Sequence, residues 1–156
     1  MIYLLVSSDI MVNLEHYQKL EHMYLRANVN HEIYDTTTIR ITDKQAEIGL
    51  IVSPKYFHAL GAIHGSVYFK LLDDAAFFAV SAIVEEVFVL TTSFNINILR
   101  PVTTGNLRAF GKVKFQSQNL YVAEATLYNE LGKPVAFGTG NFARSKILLS
   151  EEIGYK

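Results

Sequence analysis

The chain has 156 residues, half of them apolar, and its 14 basic and 15 acidic residues nearly cancel. That length suits one domain with a substantial core. The balanced charge argues against a nucleic-acid surface, which needs a basic excess or stripe. The lack of cysteine excludes disulfides, thiolate catalysis and zinc–thiolate sites.

Met1 to Val12 begins with apolar Ile2, Leu4, Leu5 and Val6, but has no positive start, is cut by Asp9 and shows no small-residue cleavage pattern. It does not read as a signal peptide. No uncharged apolar run of about 18 residues occurs, so no membrane span is predicted, and a soluble cytoplasmic protein is expected. In Asn13 to Ala27, Leu14, Tyr17, Leu20, Tyr24 and Leu25 recur at helical spacing, with Asn13 placed as the cap. Ile33 to Ile41 alternates, so Ile33, Thr37, Ile39 and Ile41 are predicted to share one strand face. Ala46 to Val52 reads as a second strand. Ser53 to Ile63, with Pro54 and Gly61, reads as a loop.

Ser66 to Ile83 is apolar on every face, which marks a buried helix. At 1.5 Å per residue it is about 27 Å long, and its charges rule out a bilayer span. Phe94 to Ile98, Leu107 to Phe115, Tyr121 to Tyr128 and Pro134 to Arg144 all carry period-2 features and are separated by turn signals. Short connections predict an antiparallel meander. Two strands, one buried helix and four strands give an α+β protein, a curved antiparallel sheet around a central helix. Its remaining edge predicts self-association.

The run Leu60 to Val80, LGAIHGSVYFKLLDDAAFFAV, resembles the signature of hotdog-fold thioesterases of the phenylacetyl-CoA thioesterase (PaaI) type. In that signature His-Gly-Gly opens a helix and a catalytic Asp follows nine positions after the His. His64, Gly65 and Asp73 occupy those places here. Thr92 to Gly105, TSFNINILRPVTTG, resembles the family's next strand and its Arg-Pro turn. Two positions depart from the pattern. Ser66 replaces the second glycine, and His58 stands where relatives carry Asn.

The resemblance implies a single hotdog thioesterase domain over 1–156, with 1–30 as N-terminal extension and helix and 31–145 as core. It also implies an acyl-CoA thioesterase that hydrolyses an acyl- or aryl-CoA to free acid and CoA. CoA would enter as part of the substrate, with no cofactor and no metal. The implied assembly is a homodimer or dimer of dimers, without nucleic-acid or membrane partners. A hotdog hydratase or dehydratase and a non-catalytic acyl-CoA sensor are the rival readings.

Asp73 is the candidate base or nucleophile, since a carboxylate in an apolar helix is desolvated and seldom placed there without cause. The ordinary alternative is an ion pair with Lys70. Asp74 fits that better, with Lys70 four residues before it. The two Asp side chains point about 100° apart, so one site is not expected to use both. The Gly65 N–H, at a helix start with no internal partner, is the candidate oxyanion donor. Ser66 is read as the helix cap or an added hydroxyl near the substrate.

His64 is expected to orient the helix start. His58 can donate a hydrogen bond as the usual amide does, and can titrate near neutrality. The resemblance puts Thr91 near the attacking water. Phe77, with Phe78 and Tyr68, is either core or acyl-pocket lining. Arg100 and Arg108 are candidates for the CoA phosphates. Gly65 and Asp73 lie about 12 Å apart along one helix axis, so a shared site requires two antiparallel helices across a two-fold dimer.

Overall fold

The computed structural model describes residues 2–156, with side chains from Asn13 onward. Two helices, α1 (Ile2–Arg26) and α2 (Gly65–Ser81), accompany six strands. These are β1 (Thr38–Thr42), β2 (Gln45–Ile51), β3 (Val87–Ile98), β4 (Asn106–Gln116), β5 (Leu120–Tyr128) and β6 (Pro134–Leu148). A π-helical turn (Val29–Ile33) and two 3-10 turns (Pro54–Tyr56, Glu151–Ile153) complete the path. Among the described residues no helix is long and apolar enough to cross a membrane. The side chains of Met1 to Val12, on which the reading of the apolar start rests, lie outside the described residues.

All strand pairs are antiparallel, in the order β1-β2-β4-β5-β6-β3. The predicted meander therefore holds only for β4 to β6. β3 pairs with β6 at the far edge, and β2 pairs with β4, because α2 intervenes between β2 and β3 and carries the chain across the sheet. Alternate residues of each central strand face the helix. Ala46, Ile48 and Leu50 on β2, and Leu107 and Ala109 on β4, are buried, as are Ala123, Ala125 and Leu127 on β5.

The small side chains on this face let α2 sink into the sheet. Ala75, Ala76 and Ala79 are fully buried. Gly111 of β4 lies directly beneath them, where a methyl group would overlap the Ala75 carbonyl. The all-round apolar character of α2 follows from this enclosure, except for one stripe facing β3 and α1, described below.

Three expected features differ. Helix α1 already runs through Asn13, which sits in its interior and caps nothing. The strand predicted over Ile33 to Ile41 is a π-helical turn followed by a strand only from Thr38. Thr37 uses its hydroxyl on the Gly49 carbonyl (3.1 Å), and Ile33 is exposed. Local side-chain hydrogen bonding displaced the ladder there. Strand β3 also begins well before Phe94, at Val87.

Helix α1 packs on β1, and its Glu21 carboxylate accepts the Ile41 N–H at 2.7 Å, which satisfies part of that edge. His16, buried, binds the Ser81 carbonyl through Nε2 (2.9 Å) and Tyr155 Oη through Nδ1 (2.7 Å). His22 Nδ1 binds the Gly154 carbonyl at 2.9 Å. The first helix is thus fastened to the end of α2 and to the chain's last turn.

The helix–sheet approach yields a direct expectation. Gly111→Ala forces α2 off β4 and should lower unfolding stability by about 2 kcal/mol or more, read by urea denaturation. A loss below about 0.5 kcal/mol would show that the helix has room to shift.

Candidate active site

Two groups of predicted residues meet, at different points along α2. At its start His64 has extended backbone (φ −67°, ψ 149°) and is the N-cap. Its Nδ1 accepts the Ser66 N–H at 3.1 Å and lies 2.8 Å from Ser66 Oγ. Ser66 therefore does not cap the helix, because it already lies in the first turn. The acceptor must come from the residue before that turn. The Val67 N–H binds the His64 carbonyl at 2.9 Å, whereas the Gly65 N–H has no partner among the described residues. It stands at the positive end of the helix dipole. Ile98, near the end of β3, lies beside Gly65.

Two turns along, Asp73 accepts a hydrogen bond from Thr91 Oγ1 at 3.0 Å. Thr91 borders an irregularity in the β3–β6 register, between Thr91 and Ser93. Such irregularities re-aim side chains and are frequent beside active sites. Asp73 Oδ2 has no hydrogen bond among the described residues. Burial raises the Asp73 pKa from 3.8 to about 6. The Thr91 hydrogen bond and Lys70 oppose that rise, and the Asp74 charge adds to it.

Asp74 has a different environment. Its Oδ2 pairs with Lys70 Nζ and accepts from Tyr24 Oη (2.9 Å), which also lies 2.9 Å from Thr37 Oγ1. Burial raises the Asp74 pKa, opposed by Lys70 and Tyr24. The Lys70 ammonium also rests 5.2 and 4.9 Å from the ring centres of Tyr24 and Tyr34. The expected Lys70–Asp74 pair is present.

Both carboxylates line one cavity of about 360 Å³, although their partners differ. Positions 70, 73, 74, 77 and 78 form a single i, i+3, i+4 stripe along α2, and a groove over that stripe meets both Asp residues. Phe77 and Phe78 continue it, Phe88 to Thr91 of β3 form a second wall, and α1 with its π-helical turn forms the third. Sequence reading missed that third wall, notably Met23, Ala27, Val29 and Asn30. The only available signal was the apolar face of α1. Concavities of about 500 Å³ on the outer sheet face, around Phe110 and Tyr128, hold none of the candidate catalytic groups.

The remaining candidates lie elsewhere. His58 accepts the Leu60 N–H at Nδ1 (3.1 Å), within its own turn. Arg100 is exposed and its Nε donates to the Pro134 carbonyl at 3.2 Å. Arg108 pairs with Glu47 at 2.7 Å. Tyr68 is core, its hydroxyl donating to the Arg100 carbonyl at 2.8 Å. α2 and β3 run in opposite senses, with Gly65 beside Ile98 and Asp73 beside Thr91.

A six-stranded antiparallel sheet curled around one helix, with a half-buried carboxylate midway along it, defines a hotdog-fold protein. Residues 60–136 match the family described as the Thioesterase superfamily. The fold is similar to that of the E. coli PaaI protein from the phenylacetic acid degradation operon (TM-score 0.79, 20% identity, covering 88% of this chain and 99% of that one). It is also similar to a conserved protein of Pseudomonas aeruginosa (TM-score 0.71, 25% identity, 79% and 97% covered). A thioesterase of Haemophilus influenzae gives TM-score 0.71 at 22% identity, with 81% and 88% covered. No curated protein matches the chain. That match supports thioester hydrolysis in general terms.

The raised Asp73 pKa carries a stability consequence. Folding disfavours the ionised form, so the penalty is full above about pH 6, shrinks between 6 and 3.8, and is absent below. Asp73→Asn should therefore raise Tm at neutral pH, and the gap should close as the pH approaches 4. A neutral-pH Tm equal to or below wild type would show that the carboxylate is well solvated.

Proposed function

We propose that the protein is an acyl-CoA thioesterase in which Asp73 acts on an acyl- or aryl-CoA bound with its acyl group in the cavity along α2. The observation that carries this reading is the Asp73 carboxylate itself. It is half-buried, held by Thr91 on one oxygen, with the other facing no protein donor and with a pKa near 6. Above that pH it is ionised and a stronger base than a solvated aspartate. As a base it takes a proton from water while the water oxygen adds to the thioester carbon. As a nucleophile it adds directly and forms a mixed anhydride that water then cleaves. In both routes the C–S bond breaks and CoA leaves as the thiol, so the reaction needs no metal or redox cofactor.

The Gly65 N–H polarises the carbonyl oxygen, a contribution of about 3 kcal/mol for such a donor. His64 holds the first turn in place, and Thr91 orients the carboxylate. Ser66 and Arg100 lie toward the helix-start end, where the CoA portion would enter. His58 is assigned beside that end too, in the place of the usual amide. Such a substrate fits the cytoplasmic location expected from the sequence.

One chain cannot bring Gly65 and Asp73 to the same carbon, eight residues being about 12 Å of helix. The proposed remedy is a two-fold dimer through β3. This strand is a sheet edge with exposed Leu90 and Ile98, flanked by exposed Phe69 of α2. An unpaired edge of this kind is a template for a second strand. Pairing β3 with its symmetry mate sets the two α2 helices antiparallel, with each Gly65 near the other chain's Asp73. Two such dimers can pair again.

Thiol release from a panel of short, medium, long and aromatic acyl-CoAs should show turnover with or without chelator. kcat/KM should fall as the pH drops through about 6. Asp73→Asn should lower kcat by about 10² or more, and Asp74→Asn by less than about tenfold. Acyl-CoA binding without turnover would instead favour the sensor reading.

The shared site is tested by complementation between Asp73→Asn and Gly65→Pro. His64 already has the extended backbone that a following proline requires, so the second variant deletes the N–H with little strain. Each alone should be nearly inactive, and an equal refolded mixture should recover about a quarter of wild-type activity. Mixed dimers that stay inactive would refute the shared site.

A further inference from the structure

The charges that line the cavity do not cancel. Among the described residues that line it, the charged side chains are Lys70, Asp73 and Asp74, which sum to one negative charge when both carboxylates are ionised. Lys70 stands three residues before Asp73 and four before Asp74, so on a helix it can reach either. Asp74 takes it. The Lys70 ammonium and the Tyr24 hydroxyl both donate to Asp74 Oδ2, which favours the ionised pair. The ammonium is also held over the rings of Tyr24 and Tyr34, 5.2 and 4.9 Å from their centres. Asp73 is left with the Thr91 hydroxyl and no cation of its own.

These groups meet open space. The Lys70 and Asp74 side chains are 13% and 19% exposed, and Asp73 is half-buried. Asp73 Oδ2 and Asp74 Oδ1 have no hydrogen bond among the described residues, and neither is sealed from solvent. As a sphere the cavity would be about 9 Å across, so a charge anywhere in it lies within about one Debye length of all three groups. A second carboxylate on a bound acyl group would therefore meet a net negative surface. It could capture Lys70 only by displacing Asp74, which would leave a largely buried carboxylate unpaired.

We infer that the cavity is a charge filter with Asp74 as a specificity-determining residue: by committing Lys70, Asp74 leaves the acyl site net negative, so acyl-CoAs bearing a second carboxylate are rejected in favour of uncharged ones. This rests on the thioesterase reading above. A pair that served only to tie α1 to α2 would give no such discrimination, and its loss would change stability without changing substrate choice.

The test uses acyl-CoAs of one medium chain length in two isosteric pairs, ending in carboxylate or carboxamide and in trimethylammonium or tert-butyl. Wild type should favour the carboxamide over the carboxylate by about tenfold or more in kcat/KM, and the cationic member should lose less against its own neutral partner. A carboxylate hydrolysed as well as the carboxamide, or an equal loss for both charged members, overturns the filter and leaves the hydrolase standing. Asp74→Asn frees the Lys70 ammonium and should raise the carboxylate-to-carboxamide ratio by about tenfold, whereas Lys70→Gln should hold or lower it. An unchanged ratio in folded Asp74→Asn overturns the role of Asp74. Should neither variant fold, the wild-type series decides the filter. If the members bind but none is hydrolysed, the thioesterase reading is what fails, and the same ratios in calorimetric dissociation constants decide the filter. Binding of none overturns both.

Discussion

The depth at which α2 lies in the sheet governs the rest of the molecule. Gly111 and the alanines at 75, 76 and 79 let helix backbone approach strand backbone, and everything chemically interesting follows from that contact. A helix held so close cannot rotate, so the stripe that carries Lys70, Asp73, Asp74 and Phe77 has a fixed direction, between β3 and α1. The enclosure also removes water from Asp73, and that desolvation is the main cause of its raised pKa.

Adjacent carboxylates on one groove would ordinarily repel. The fold separates their duties by partner rather than by distance. Asp74 receives a cation and a phenol, and the aromatic faces of Tyr24 and Tyr34 hold that cation in place. Asp73 receives one hydroxyl and keeps an oxygen without a protein donor. One carboxylate is consumed in joining α1 to α2, and its neighbour is left underbonded. Underbonding in a desolvated place gives a carboxylate its basicity.

Much of this was legible in the residues. The apolar run of α2 marked a buried helix, and period-2 alternation marked β4 and β5 nearly to their ends, while only the second half of β3 was visible in it. The spacing of His64, Gly65 and Asp73 carried the family, and the four-residue step from Lys70 gave the Asp74 pair. What could not be read was decided by tertiary contact. Ile33 to Thr37 alternates like a strand, yet Thr37 and Tyr34 are drawn into hydrogen bonds and aromatic packing that no local pattern encodes. The cap at α2 went to His64 because an imidazole nitrogen can do what a serine hydroxyl usually does, a substitution that propensity ranks low. The third cavity wall escaped because α1 joins α2 across some forty residues of intervening chain. β3 was placed in sequence order, whereas the crossing helix sends it to the opposite edge.

The two histidine contacts of α1 bear on the order of assembly. His16 reaches Tyr155 and His22 reaches Gly154, across sequence separations of 139 and 132 residues. Contacts so far apart close very long loops and come late in folding. The sheet can gather around α2 before they form, so the carboxylates of α2 are in position before α1 encloses the pocket.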